Sequence, residues 1–330
     1  MNKWRKGILA FAFVILNNLS IAQDMHFSQF YASNVYLNPA FAGANVCSRL
    51  TAIYRNQWSG IDKAYTSSLV SWDHYIKRHN IGMGLMFSRD VAGSGNLATT
   101  LIYPTIAYET RVNRKLGIRF GIQPGLGISN VNFNKLTFGD QIARGGNVST
   151  VETAPSSVSY VDIGAGVLAY SIKYWYGISF NHLNQPLESF YSAEETKLPI
   201  KYSAHGGYKF DLNDDEETSI TTAFNYRGQK KFDQLDLGFY YTRQVFNIGL
   251  WYRGIPGLKR YAPGYSNNDA IAFILGFKTN IMSFGYSYDI TISRLTNGNS
   301  NGAHELSVSY QFCNLKNQKG KRILIECPSF

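Results

Sequence analysis

The side chains able to do chemistry are few and scattered. His182 and His205 have the chemistry of general bases, as in some lipid and peptide hydrolases. A loop separates them, however, and the sequence places no acid beside either. No G-x-S-x-G nucleophile elbow occurs. Gly93-Ser94-Gly95 lacks the Lys-Ser/Thr ending that grips a phosphate, and reads as a flexible loop. Asp211, Asn213, Asp215 and Glu217 alternate as calcium ligands do, but the turn-making glycine is missing, so they read as a solvated turn. The three cysteines, Cys47, Cys313 and Cys327, lack neighbours at zinc spacing. In an oxidising compartment Cys313 and Cys327 are expected to pair across the C-terminal tail, leaving Cys47 free. No enzyme activity, metal or cofactor is expected; binding or transport is.

The elements that must position any such residues are strands. In Leu116–Ser129 one alternating set is Leu116, Ile118, Phe120, Ile122, Pro124, Leu126 and Ile128. The interleaved set is Gly117, Arg119, Gly121, Gln123, Gly125, Gly127 and Ser129. A strand sends these sets to opposite faces, whereas a helix, with a period near 3.6, mixes them. In a soluble sandwich the polar face meets water and carries long charged side chains; here it is mostly glycine. One apolar face and one small or polar face suit a transmembrane β-barrel, with lipid outside and a crowded or wet lumen. Pro124 fits least well, because proline belongs at an edge or a bulge.

Composition and the chain ends agree. Of 330 residues, 23 are Tyr, 21 Phe, 30 Gly and only 9 Pro, which suits a barrel with aromatic girdles. Residues 1–22 read as a secretory signal peptide: Lys3, Arg5 and Lys6, then a short apolar core, then Ser20-Ile21-Ala22. The apolar run is about half of a helical membrane span, so insertion must rely on strands. The formal charge of +10 falls to +7 without that peptide, and no helix carries a basic stripe, so nucleic acid is not an expected partner.

Residues 23–47 are aromatic-rich but irregular, and are expected to pack in the lumen or at its mouth as a plug. A barrel of about 14 antiparallel strands is expected over residues 48–312, followed by a basic periplasmic tail at 313–330. Expected connections after odd strands are long, including 130–157, 182–199 and 254–268. Those after even strands are short, including the single residues Ile172, Gln244 and Asn280, which are too tight for hairpins and imply strand ends off by a residue or two. Long loops on one side and tight turns on the other are the asymmetry of outer-membrane barrels, with the turns in the periplasm. Arg119, Lys201, Lys209 and Arg227 fall on inward positions, where Asp162 and Asp289 are their expected partners. The last strand, Glu305 to Phe312, ends with Tyr310 and Phe312 on one face, which resembles the signal read by the outer-membrane assembly machinery.

Several motifs together resemble one family. His26-Phe27-Ser28-Gln29-Phe30-Tyr31 followed by Leu37-Asn38-Pro39-Ala40-Phe41-Ala42-Gly43 resembles the N-terminal signature of PorP/SprF proteins. Arg55-Asn56-Gln57-Trp58-Ser59-Gly60-Ile61, Ala92-Gly93-Ser94-Gly95, Phe138-Gly139-Asp140-Gln141-Ile142 and His182-Leu183-Asn184-Gln185-Pro186 extend it. The resemblance implies an outer-membrane component of the type IX secretion system, assisting export or surface attachment of cargo with type IX C-terminal signals, gliding adhesins among them. It also implies periplasmic contact with other type IX components.

Most of these motifs fall beside loops after odd strands, which face outward. Trp58, Gly60, Asp140, Gln141, His182 and Asn184 are therefore expected to contact cargo or a partner at the rim; the competing expectation is that they fold inward and brace the lumen. Asn38-Pro39-Ala40 also resembles FadL-type transporters, which makes a passive channel for hydrophobic or small solutes the alternative function.

Overall fold

The computed structural model describes residues 24–45, 47–62, 64–93, 95–145, 155–190, 196–213, 217–230, 232–262 and 265–312, without the side chains of 256–262 and 265–266. The expected signal peptide and basic tail lie outside these residues.

Fourteen strands form a closed antiparallel barrel in which each pairs with its sequence neighbours. The first seven are β1 (Ser48–Gln57), β2 (Tyr65–Ile76), β3 (Ile81–Ala92), β4 (Leu97–Arg111), β5 (Gly117–Asn130), β6 (Ser157–Tyr170) and β7 (Tyr174–Asn181). The rest are β8 (Lys201–Asp211), β9 (Thr218–Gln229), β10 (Phe232–Arg243), β11 (Phe246–Ala262), β12 (Tyr265–Lys278), β13 (Met282–Thr291) and β14 (Ala303–Phe312). β1 closes the circle on β14, from Ser48 opposite Phe312 to Gln57 opposite Ala303. Closure satisfies both edges, which a sheet surrounded by hydrocarbon requires.

Period-two segregation sets the two faces. Ile122 and Leu126 of β5 are 57% and 53% exposed, while Arg119 on the other face is fully buried. The same alternation runs through Leu85 and Phe87 in β3, Ile106 and Tyr108 in β4, and Leu306 and Val308 in β14, all exposed. The small inward face of β5 is a seat rather than a wetted wall. A Cβ on Gly121 would meet Pro39 and Ala40, one on Gly125 the Tyr103 ring, and one on Gly127 the Tyr160 ring.

The connections differ from expectation in places. The single-residue links become turns at 171–173, 244–245 and 279–281, because a hairpin needs at least two residues between paired positions. The expected loop at 254–268 is instead mostly strand. β11 and β12 continue past Gly254, with register shifts at Arg253/Gly254 and between Ile255 and Ala262. Gly254 and Pro256 look like turn punctuation, but here they lie at a bulge, which absorbs such residues without ending the hairpin.

Candidate functional site

Residues 24–45 lie inside the barrel, and the inward positions of the strands are largely spent on holding them. Phe27, Phe30, Tyr31, Val35, Ala40, Phe41 and Ala42 are all buried. A short helix over Asn34–Leu37 leads into a 3-10 turn over Pro39–Phe41. Asn38 caps that turn, its Oδ1 accepting from the Ala40 amide at 2.9 Å. The Asn38 Nδ2 donates to the carbonyls of Val167 on β6 and Ile178 on β7, each at 3.1 Å. Gly166 and Gly177 make room for it, since a Cβ on either would strike Asn38. Arg119 donates from Nε to the Ala40 carbonyl at 2.7 Å and from Nη2 to the Ala42 carbonyl, while Nη1 pairs with Glu109.

A second anchor is ionic. The Ser28 and Gln29 amides both donate to the Glu305 carboxylate at 2.8 Å. Arg55 bridges Glu305 at 3.0 Å and Asp289 at 2.8 Å. Arg253 joins Asp289 at 3.1 Å to Asp236 at 3.0 Å, and Arg227 lies 3.0 Å from Asp236. The Ser28 hydroxyl donates to Asp289 at 2.6 Å. Beside this cluster, Phe30 meets Trp251 edge-on at 4.9 Å between ring centres, and Tyr31 meets Trp175 at 5.6 Å. Burial and four arginine and lysine side chains, those of Arg253, Arg227, Arg55 and Lys201, push the pKa of His26 well below its usual 6.5, so it is neutral.

The third anchor holds residue 24. Asp24 accepts from Lys201 at 3.0 Å and from Gln229 at 3.2 Å, and lies 2.9 Å from Nε2 of His182. Nδ1 of His182 lies 2.8 Å from Asp162, which also accepts from the Tyr103 hydroxyl. Both ring nitrogens thus face carboxylates, and both donate only if the ring is protonated. Burial alone would lower the pKa of His182; Asp24, with Asp162, outweighs it and raises the pKa to about 10. Burial likewise opposes ionisation of Asp24, but Lys201 and His182 hold its carboxyl well below the usual 3.8.

These shifts give the docking of residue 24 a defined pH dependence. The folded pKa of His182 lies above its ordinary 6.5, so its contribution is full below that value and is lost as pH rises toward 10. The shift at Asp24 is downward from 3.8, so its contribution is present above that value and is lost in acid. Hydrogen exchange of residues 24–31 should therefore be slowest between about pH 4 and pH 6.5 and speed up toward pH 10 beyond the intrinsic rise. His182→Gln should remove the alkaline part of that dependence.

His182, Lys201 and Gln229 all lie at the end of the barrel that carries the long loops. At the other end, a Cβ on Gly43 would meet His74 of β2 and Gly82 of β3. The segment therefore runs along the lumen from the long-loop mouth toward the short-turn mouth. Beside its beginning lies a cavity of about 430 Å³, lined in part by Met25, Tyr36, Met86, Leu101, Tyr103 and Glu188.

The six expected rim residues divide. Trp58, at φ +59°, donates its amide to Gly302 at 2.7 Å and packs edge-on against Tyr65 at 5.3 Å. The Gly60 amide donates to Ser300 at 2.9 Å, so the β1–β2 loop is tied to the β13–β14 loop. Asp140 pairs with Arg144 in a short helix, Gly139–Ala143, and Gln141 accepts from the Phe138 amide at 2.8 Å. Asn184 clamps the edge of β6, donating to Val161 at 2.7 Å and accepting from Ile163 at 3.1 Å. His182, by contrast, is 3% exposed and turned into the lumen.

The expected charge partners also differ. Arg119 pairs with Glu109, Lys201 with Asp24, Lys209 with Asp211 and Arg227 with Asp236. Asp162 pairs with His182, and Asp289 with Arg55 and Arg253. Which inward charges meet depends on strand register, which a local pattern does not contain. Cys47 is disulfide-bonded, so it is not the free thiol of the expected pairing; Cys313 and Cys327 lie outside the described residues. Asp289 is a lumen carboxylate as expected, whereas Arg55 and Glu305 carry no expected lumen role, although each is a charged residue at an inward position of its strand.

A closed barrel, greasy outside and filled by its own N-terminal segment, is the frame into which the relationships fit. Residues 19–310 match the family described as type IX secretion system membrane protein PorP/SprF. The chain belongs to the PorP/SprF family. As a PorP/SprF protein it is a multi-pass β-barrel of the outer membrane. Among solved structures, the CymD monoaromatic hydrocarbon channel is 12% identical, with 85% of this chain and 93% of that one covered at a TM-score of 0.46. The P. putida toluene transporter TodX is 10% identical, with 83% and 92% covered and a TM-score of 0.46. A Pseudomonas aeruginosa FadL homologue is 12% identical, with 86% and 94% covered and a TM-score of 0.44. No curated protein matches.

Proposed function

We propose that this PorP/SprF barrel assists the export or surface attachment of cargo proteins bearing type IX C-terminal signals, gliding adhesins among them. It does so as an accessory, not as the conduit. The observation that carries this reading is the filled lumen: the wall residues Arg55, Asp289, Glu305 and Arg119 all bind the protein's own N-terminal segment, and Asn38 of that segment bonds back to the wall. Those groups are not available to line a path for a translocating chain. On this reading cargo meets the long-loop rim, with Trp58 and Gly60 on one loop and Asp140 and Gln141 on another. Asn184 supports the rim, while His182 holds the plug beneath it. Other type IX components contact the short-turn end.

Replacing Trp58→Ala and Asp140→Ala together should abolish surface display of cargo while leaving the amount of heat-modifiable barrel in the outer membrane unchanged. Normal display in that double variant would overturn the rim. Ion conductance of the purified protein in planar bilayers separates the passive-channel alternative, because a channel works alone and an accessory does nothing without cargo.

A further inference from the structure

The β4–β5 joint in the wall of the barrel is interrupted in mid-strand. β4 and β5 pair from Ala98 opposite Asn130 to Ile102 opposite Leu126, and again from Ile106 opposite Ile122 to Arg111 opposite Gly117. The three pairs between are missing from an otherwise unshifted register. At their centre Pro104 stands directly across from Pro124. Antiparallel partners alternate between exchanging two N–H···O bonds and exchanging none. Loss of three successive pairs marks the central one as a pair that should exchange both. Neither proline has an N–H, so neither bond forms.

This gap is halfway along β4, in the lipid-facing band, where a missing backbone bond is least replaceable by water. Proline is otherwise confined to edges, so the closed sheet carries an edge-like joint in its middle. On the lumen side the joint is also under-bonded. Among the described residues, buried Thr105 Oγ1 and Gln123 Oε1, which would pair just beside the prolines, have no hydrogen-bond partner. Behind the joint lies the 430 Å³ cavity, and its nearest lining is Met86, Leu101, Tyr103 and Gln123. Tyr103 lies across Gly125 and is held there by Asp162, the carboxylate that also binds His182.

We infer that the β4–β5 joint is a lateral entry through which a single alkyl chain of a membrane amphiphile passes from the bilayer into the cavity. The chain lies against Met86 and Leu101, and Lys201, Glu188 and Asp90 line the cavity farther in, within reach of the head of a free single-chain amphiphile. The cavity volume is within the range of small-molecule sites, and its mixed lining suits an apolar tail with a polar head. Tyr103 is the latch: its hydroxyl bond to Asp162 keeps the ring over the joint. This site is independent of the rim and of cargo.

The test uses the full chain reconstituted into phosphatidylethanolamine/phosphatidylglycerol vesicles containing a trace of a diazirine-bearing fatty acid. A parallel sample contains a phospholipid carrying the same group on one acyl chain. After irradiation, labelled positions are mapped by mass spectrometry. Wild-type protein should be labelled on Met86, Leu101 or Tyr103. In P104V/P124V, which can form both ladder bonds, that labelling should fall about tenfold, the scale set by two restored backbone bonds. Tyr103→Phe, which loses the hydroxyl but keeps the ring, should raise it. Labelling by both probes identifies a lipid chain as the occupant, and labelling by the fatty acid alone identifies a free single-chain amphiphile; either supports the entry. Labelling confined to outward Ile102, Ile106, Ile122 and Leu126, or unchanged cavity labelling in a folded P104V/P124V barrel, would overturn it.

Discussion

Arg55→Ala should lower the unfolding free energy of the barrel by about 3–5 kcal/mol. The guanidinium is almost wholly buried, with Glu305 at 3.0 Å, Asp289 at 2.8 Å and the Ser28 hydroxyl at 2.8 Å. Its removal leaves two buried carboxylates with reduced compensation. Arg253 still reaches Asp289, so Glu305 bears most of the loss. An intact buried pair adds little over a well-packed apolar pair, but half of one is costly. Urea titration in detergent micelles, followed by tryptophan fluorescence, reads the change as a lower midpoint at unchanged slope. The double variant Arg55→Met with Glu305→Gln should recover part of it, because no uncompensated carboxylate then remains at position 305. A midpoint for Arg55→Ala equal to wild type would mean that the cluster contributes nothing to stability.

Gly121→Leu should separate the barrel from its contents. A Cβ at this inward position already collides with Pro39 and Ala40 backbone atoms, which cannot yield by rotating a side chain. The clash has two resolutions: the wall bends, or the N-terminal segment leaves. Gly121 itself is paired on both sides, to Ala107 of β4 and Gly166 of β6, and the β5–β6 ladder is continuous, whereas the segment is held by bonds worth roughly 1 kcal/mol each. Overpacking costs on the order of 1–3 kcal/mol or more for each inserted group in a rigid site. The segment should therefore be displaced. The variant barrel should remain heat-modifiable, while chymotrypsin cuts at Phe27, Phe30 and Tyr31, and bilayer conductance should rise above that of the parent. Gly139→Ala, where a Cβ meets nothing within 4 Å, is the matched control and should change none of these.

Much of this was legible in the sequence, for a local reason. Inward or outward is decided by parity alone, so Leu116–Ser129 read alone reveals the wall, its lipid face and the small residues that leave room inside. The aromatic density of residues 26–31 marks a segment that must be buried somewhere. Pairing across the barrel was not legible. Arg119 finds Glu109 because β4 and β5 share a particular register, and Asp24 finds His182 across 158 residues of chain. The Pro104–Pro124 joint escapes a strand-by-strand reading for the same reason: each proline alone reads as a blemish, and only the register places them face to face. His182 looked like a loop residue because it follows β7 directly, but a positive φ of 58° turns it back into the lumen.

The bonds from Ser28 and Gln29 to Glu305 span 277 and 276 residues, and Arg55 and Glu305 sit opposite each other on the two strands that close the circle. Glu305 on the final strand thus touches both the neighbouring strand and the inserted N-terminal stretch. A cylinder that shut empty would leave Glu305 without those two amide donors, so the filled barrel is favoured over a vacant one through the very strands that close it.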